Sequence, residues 1–206
     1  MANWVTLMRM LLCFVVAWLL LARSHDHYWW AFVLTVLIIW MDGLDGYLAR
    51  KFNETSRFGA MFDILGDRVV EQVYWLLFLA LNWVPLWMVM AVIVRGVLVD
   101  GFRAMGTEQG YTAFGKSSMM QSPVGILLVS SRFSRWTYAA CKAVAFSLVI
   151  LLHMPGPGPS GIRETWQHQL EWPVAIALYG TVAFCLIRGL PVLIESQRFF
   201  KTETKA

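Results

Sequence analysis

The chain has few charged residues for its length. Asp, Glu, Lys and Arg make up 15% of 206 residues, against about 25% in soluble domains. Hydrophobic residues make up 58%, and the mean hydropathy is +0.58. This composition excludes an ordinary soluble domain and predicts an integral membrane protein. The net charge of +4 forms no basic stripe on a soluble surface, so nucleic-acid binding has no support.

Cysteine is scarce as well. Cys13, Cys141 and Cys185 are odd in number and all fall in apolar segments. We therefore expect buried single thiols, and neither a disulfide framework nor a cysteine metal site. The N-terminal segment has no signal-peptide cleavage pattern, so we expect it to be retained as a helix.

Six apolar segments are long enough, or nearly so, to cross a hydrocarbon core of about 30 Å. The second reaches that length only if its helix continues past Asp42. We predict an all-α integral membrane protein with one domain over residues 1–206, six transmembrane helices and a short interfacial segment at Asn3–Arg9. The six segments are Val5–Ala22, Tyr28–Met41, Asp63–Leu81, Pro85–Val99, Thr137–Leu152 and Trp172–Leu190.

The positions of Lys and Arg give the orientation. Arg23 and Arg163 lie in the predicted external connections, and the other basic residues all fall near the predicted cytoplasmic ends of the segments. Both termini are therefore predicted to be cytoplasmic, in what we expect to be a bacterial inner membrane. His153–Glu171, which contains three prolines, is predicted as an external loop. For residues 111–134, the sequence leaves open whether they form an interfacial or a re-entrant segment.

Four aspartates stand out against this apolar background: Asp42, Asp45, Asp63 and Asp67. A carboxylate beside the bilayer core costs about 2.5–3.5 kcal/mol on insertion scales, so four together need a compensating charge. Clustered hard oxygen ligands suit Mg²⁺ or Mn²⁺. Metals held in this way indicate chemistry on a phosphate.

Helical spacing places these carboxylates on shared faces. Asp42 and Asp45 are three residues apart, and Asp63 and Asp67 are four apart, so each pair lies on one helix face. Two antiparallel helices joined near Ser56, a plausible N-cap, would bring all four into one cavity. Each piece is weak alone, because a lone D-G-x-x-D is usually a turn and an isolated intramembrane Asp often pairs with an Arg.

The combination resembles the signature of the CDP-alcohol phosphotransferase family, D-x-x-D-G-x-x-A-R-x8-G-x3-D-x3-D. The match is complete over 26 residues. Members are homodimeric membrane enzymes that transfer a substituted phosphate from a CDP-linked donor to an alcohol and release CMP. The residues that match are Asp42, Asp45, Gly46, Ala49, Arg50, Gly59, Asp63 and Asp67.

The resemblance implies a role for each matching residue. The four aspartates would hold two divalent ions, Mg²⁺ or Mn²⁺, and Asp67 would also act as the base that takes the proton of the acceptor hydroxyl. The donor, expected to be CDP-diacylglycerol, would be bound by Gly46, Ala49, Arg50, Ser56 and Gly59.

The acceptor is less constrained. Arg95–Gly110 resembles the corresponding part of bacterial phosphatidylglycerophosphate synthases, although Gly96 replaces their usual Glu and their later G-K-x-K-T appears only in broken form. Arg95 and Arg103 are candidates to bind an anionic acceptor such as glycerol 3-phosphate. Topology charges or ion pairs are the alternative for both. Inositol phosphate or another alcohol stays open as acceptor.

A hypothesis from a different class is an ion or proton transporter with the aspartates as its cation site. Such a site is expected near the bilayer midplane, whereas these aspartates crowd the predicted cytoplasmic end. A catalytically dead scaffold is disfavoured by the intact Asp67.

Overall fold

The computed structural model describes residues 2–22, 24–51, 57–108, 120–154 and 160–203. Within these ranges, the side chains of residues 2, 25, 43–51, 57–58, 60, 108, 132, 160–167 and 197–203 are not part of the description. Over the described residues, every regular element is helical, which confirms the all-α prediction.

The chain forms seven α-helices and one π-helical turn in these ranges. Four long helices precede a short connection, and two long helices follow it. They are α1 (Ala2–Leu21), α2 (His25–Lys51), α3 (Arg57–Ala80), α4 (Leu86–Glu108), α5 (Pro123–Gly125) with the π-turn Ile126–Ser130, α6 (Arg132–His153) and α7 (Ser160–Glu203).

Each predicted apolar segment lies mainly inside one of the long helices. The second continues as a helix past Asp42 to Lys51, as expected. The predicted lead-in Asn3–Arg9 is helical and continuous with α1. By length and apolar composition, three stretches of the described chain qualify as membrane spans: Asn3–Leu21, Phe133–His153 and His168–Ser196. The count of six therefore stays a prediction.

The loop prediction for His153–Glu171 is wrong over most of its length. α6 runs to His153 and α7 already begins at Ser160. All three prolines of the stretch precede Ser160, so none interrupts the helix that follows. Residues 155–159 lie outside the described part of the chain.

The chain divides into two compact units. The first contains Met1–Pro85 and Ala143–Ala175, and the second contains Leu86–Lys142 and Ile176–Ala206. The expectation of one functional domain over residues 1–206 stays a prediction.

An aromatic core lies in the first unit. Tyr74, Trp75 and Phe78 of α3 are at most 2% exposed, and their ring centres lie 5.1–5.6 Å from that of Phe146. The Tyr74 hydroxyl donates a hydrogen bond of 2.8 Å to Thr35 Oγ1, which itself donates to a carbonyl of its own helix. This buried pair joins α2 to α3.

The end of α3 is sharply defined by Asn82. Its φ of 60° is the left-handed value, which Asn tolerates better than most residues. The Asn82 amide donates to the Leu79 carbonyl at 2.9 Å, and the Trp83 amide donates to the Phe78 carbonyl at 2.8 Å. These two bonds form a Schellman motif, which satisfies carbonyls that the end of the helix leaves over.

In the second unit, residues 121–130 are attached to α7 at both ends. Glu195 accepts hydrogen bonds from the Gln121 amide (2.6 Å) and from the Ser122 hydroxyl. Arg188 Nε donates to the Leu128 carbonyl at 3.0 Å. A small apolar core of Val99, Met120, Val129 and Val192 lies in the same unit. The earlier choice between an interfacial and a re-entrant segment stays open.

Candidate metal and substrate site

One face of α1 is buried and the other is strongly apolar and exposed. The buried face contains Thr6, Arg9, Cys13 and Val16, each at most 2% exposed. Their spacing of three, four and three residues follows one side of a helix. Large apolar side chains cover the opposite face: Trp4, Met8, Leu11, Phe14, Val15 and Trp18. α1 therefore points its polar side inward and its apolar side outward, as a lipid-facing helix does.

Gly66 lets α1 approach α3 closely. A Cβ atom at this position would overlap with Thr6 Cγ2, and it would lie 3.8 Å from Arg9 Nη2. Because glycine has no side chain, the backbone of α3 comes directly against this face of α1. The contact places Arg9 beside the residue that follows Gly66, which is Asp67.

Three aspartates converge on Arg9. Carboxylate oxygens of Asp42 on α2 and of Asp63 and Asp67 on α3 lie within 4.8 Å of one another. Arg9 Nη1 donates to Asp42 Oδ1, Arg9 Nη2 donates to Asp67 Oδ1 at 2.6 Å, and the same Nη2 lies 3.7 Å from Asp63 Oδ1. The three carboxylate side chains are 42–48% exposed, whereas the arginine side chain is 2% exposed.

This donor set fits a hard divalent cation. With Mg–O distances of 2.0–2.1 Å, the oxygens around one octahedral Mg²⁺ are about 3–4 Å apart. A spread of at most 4.8 Å closes to that spacing with small side-chain rotations. The carboxylates also remain open to solvent, so an ion and a phosphate group have access to them.

The structure brings together some of the predicted site residues but not all of them. Asp42, Asp63 and Asp67 meet as described, and Gly59 lies half-buried on α3. Asp45, Gly46, Ala49 and Arg50 are on α2, but their side chains lie outside the described residues. Ser56 is also outside the described ranges, directly before the first residue of α3.

Arg9 and Gly66 were missed by the sequence reasoning. Arg9 was counted only among the basic residues that set the orientation. Its signal was the polar pattern Thr6, Arg9, Cys13 in an otherwise apolar helix, because an arginine on the inward side of a span requires a carboxylate partner.

The predicted acceptor residues both lie on α4 in the second unit. Arg95 is 7% exposed and packs against Gly189 of α7, where an added Cβ would come within 2.8 Å of Arg95 Cγ. Arg103 is half-buried, eight residues and about 12 Å further along the helix. The proximity of Arg95 to α7 was not visible in the sequence.

Arg95 belongs to a basic group in this unit. Arg188 of α7 is 7% exposed and close enough to Arg95 and Arg135 for electrostatic interaction. Arg188 Cζ lies 5.2 Å from the centre of the Tyr138 ring, and Lys142 Nζ lies 4.8 Å from it. Buried like charges repel one another, so an arrangement of this kind is stabilised by an anion.

The helical membrane architecture and the carboxylate cluster together define an all-α membrane protein whose acidic side chains form a candidate site for a divalent cation. The family model for CDP-alcohol phosphatidyltransferases matches residues 1–177. The chain belongs to this family, which confirms the resemblance carried by the aspartate motif.

Several similar proteins share the name CDP-diacylglycerol–glycerol-3-phosphate 3-phosphatidyltransferase. A protein of Bacillus subtilis is 32% identical over 71 residues, covering 34% of this chain and 37% of that relative. One of Cereibacter sphaeroides is 32% identical over 78 residues, covering 36% and 35%. One of Yersinia pestis is 29% identical over 129 residues, covering 60% and 66%. The chain therefore spans about a third to two thirds of these relatives.

Proposed function

We propose that the protein is an integral membrane phosphatidyltransferase of phospholipid biosynthesis. It transfers the phosphatidyl group of CDP-diacylglycerol to glycerol 3-phosphate and releases CMP. The convergence of the Asp42, Asp63 and Asp67 carboxylates within 4.8 Å is the observation that carries the proposal. Membership of the family and the names of the similar proteins support it.

In this proposal, Asp42, Asp45, Asp63 and Asp67 hold two Mg²⁺ or Mn²⁺ ions. Bound there, divalent ions neutralise the diphosphate of the donor and the charge of the departing CMP. Gly46, Ala49, Arg50, Ser56 and Gly59 bind the donor. The roles of these residues are part of the proposal.

Asp67 takes the proton in the transfer step. The acceptor hydroxyl oxygen attacks the β-phosphorus, to which the diacylglycerol is attached, and its proton passes to Asp67. The bond between this phosphorus and the bridging oxygen breaks, and the electron pair leaves with CMP. In the metal-free protein, the hydrogen bond of 2.6 Å from Arg9 to Asp67 Oδ1 holds this carboxylate beside Asp63.

The acceptor is proposed to be bound through its phosphate by Arg95 and Arg103. Arg95 is buried and Arg188 is its neighbour, which supports an anionic acceptor. A guanidinium group can donate two parallel hydrogen bonds to the oxygens of one phosphate. A neutral or cationic alcohol gains nothing from such groups. Inositol phosphate is the alternative acceptor that the same chemistry allows.

The proposed setting is the bacterial inner membrane. The chain would have six transmembrane helices in one functional domain, with both termini and the site facing the cytoplasm, and would form a homodimer. The distribution of Lys and Arg supports this orientation.

The test is CMP release by the purified protein with CDP-diacylglycerol, Mg²⁺ or Mn²⁺, and a panel of alcohols. We expect release only with metal present, and most release with glycerol 3-phosphate. Asp67→Asn is expected to lose turnover while the protein still inserts and folds. Asp26→Asn, which changes an exposed carboxylate at the other end of α2, is the matched control and is expected to keep activity.

Undiminished CMP release in the presence of a chelator, or by Asp67→Asn, contradicts the mechanism. The acceptor is tested separately through Arg103→Ala, which is expected to raise the KM for glycerol 3-phosphate more than the KM for the donor. If both KM values are unchanged, the assignment of Arg103 is wrong while the donor site stands.

A further inference from the structure

Arg9 occupies the position that a cation would take in the acidic cluster. Its buried guanidinium contacts one oxygen each of Asp42, Asp63 and Asp67, from two other helices. These three residues are the ones whose carboxylates converge as a ligand set. An ion that binds to the cluster therefore meets oxygens already engaged by the chain's own positive charge.

We propose that Arg9 is a positioning residue that holds the acidic cluster together before metal binds and lowers its affinity for divalent ions. The inference rests on the proposed function, since it requires that the cluster binds a metal. In the metal-free protein, Arg9 bridges α2 and α3. A divalent ion held by the same carboxylates would displace at least one of these hydrogen bonds of Arg9.

The electrostatics give the direction of the effect. Three carboxylates and one guanidinium have a formal net charge of minus two, so the cluster still attracts a divalent ion, but less strongly than the carboxylates alone. A guanidinium within 4 Å of the same oxygens also repels the incoming ion. Without Arg9, the three carboxylates repel one another, which destabilises the metal-free protein and strengthens metal binding.

The alternative is that Arg9 is an ion-pair partner that stabilises the fold and nothing more. Such a residue contributes equally with and without metal, since its contacts persist in both states. A positioning residue that exchanges with metal contributes mainly in the metal-free state. The two readings therefore differ in the metal affinity and in how metal changes the thermal stability of a variant.

The experiment measures Mn²⁺ binding by electron paramagnetic resonance of the unbound ion, and thermal unfolding in detergent with chelator or with saturating Mn²⁺. The variants are Arg9→Gln and Arg9→Lys. Lys142→Gln, which removes one positive charge from the other compact unit, is the control for net charge. None of these readouts requires turnover.

For Arg9→Gln, we expect the Mn²⁺ Kd to fall about tenfold, the change that one charge-assisted hydrogen bond corresponds to. The Tm of Arg9→Gln in chelator is expected to be lower than that of the wild type. Mn²⁺ is expected to raise the Tm of this variant by more than it raises the Tm of the wild type. The Kd and Tm of Arg9→Lys are expected to lie between those of the wild type and Arg9→Gln, because one ammonium group cannot bridge two helices as the planar guanidinium of Arg does. Lys142→Gln is expected to keep the wild-type Kd.

An unchanged or higher Kd for Arg9→Gln overturns the inference, as does a Tm loss of the same size in chelator and in Mn²⁺. If Arg9→Gln does not fold, Arg9→Lys decides alone through its Kd. These failures leave Mn²⁺ binding and CMP release by the wild type intact. If the wild type binds no Mn²⁺, or if Asp63→Asn does not abolish the binding, the proposed metal site is wrong. This inference is then wrong as well.

Discussion

The contact between α1 and α3 at Gly66 gives a prediction with a defined size. In Gly66→Ala, the new Cβ overlaps with Thr6 Cγ2. Thr6 is β-branched and buried, so its methyl group has little freedom to rotate away. Overpacking of this kind costs about 1–3 kcal/mol. The higher helix propensity of Ala relative to Gly offsets this cost by up to about 1 kcal/mol.

The control is Gly180→Ala in α7, where an added Cβ meets nothing within 4 Å. It gains the propensity without the clash, so Gly66→Ala is expected to be about 1–3 kcal/mol less stable than this control. At about 2–4 °C per kcal/mol for a chain of this size, the difference is measurable as an apparent Tm in detergent. Tryptophan fluorescence is a convenient probe.

A second variant tests the cause directly. Thr6→Ser removes Cγ2 but keeps the hydroxyl, so it is expected to restore most of the stability that Gly66→Ala loses. The interaction free energy in this double-mutant cycle isolates the clash from other effects. If Gly66→Ala melts at the temperature of Gly180→Ala, or if Thr6→Ser adds no recovery, the close approach of α1 to α3 is refuted.

Three further changes test other contacts, each by the apparent Tm in detergent. Tyr74→Phe removes the hydrogen bond to Thr35 and is expected to cost about 0.5–1.5 kcal/mol; no loss contradicts the buried bond. Glu195→Ala removes the acceptor of the Gln121 amide and the Ser122 hydroxyl. It is expected to cost about 1–3 kcal/mol of stability and to speed hydrogen exchange at residues 121–130; unchanged exchange contradicts this contact. Asn82→Ala is expected to cost about 1 kcal/mol because of its left-handed φ, whereas Asn82→Gly is expected to be neutral or stabilising; equal effects of the two contradict that geometry.

The long helices were predictable because their signals are local. Apolar runs of membrane length and the four-residue step from Asp63 to Asp67 are read directly from neighbouring residues. The continuation of α2 past Asp42 followed from the same reasoning. The start of α7 was misjudged because the prolines of the stretch were given weight beyond Ser160, where a helix is free to begin.

The partner of the aspartates was not predictable in this way. Arg9 lies 33 residues from Asp42 and 58 from Asp67, and its helix has no charge pattern that specifies which neighbour it meets. The apolar outward face of α1 hides the polar inward face in any average over the segment. The close approach of Thr6 to Gly66 helps to set the depth at which Arg9 meets the carboxylates.

The length of α1 links this site to the surrounding lipid. Twenty residues of helix measure about 30 Å, which equals the thickness of the hydrocarbon layer with nothing to spare. α7, with 44 residues, is about 66 Å long, more than twice that thickness. A thinner or thicker bilayer is therefore expected to act first on α1, and through α1 on Arg9, the described cation that contacts the acidic cluster.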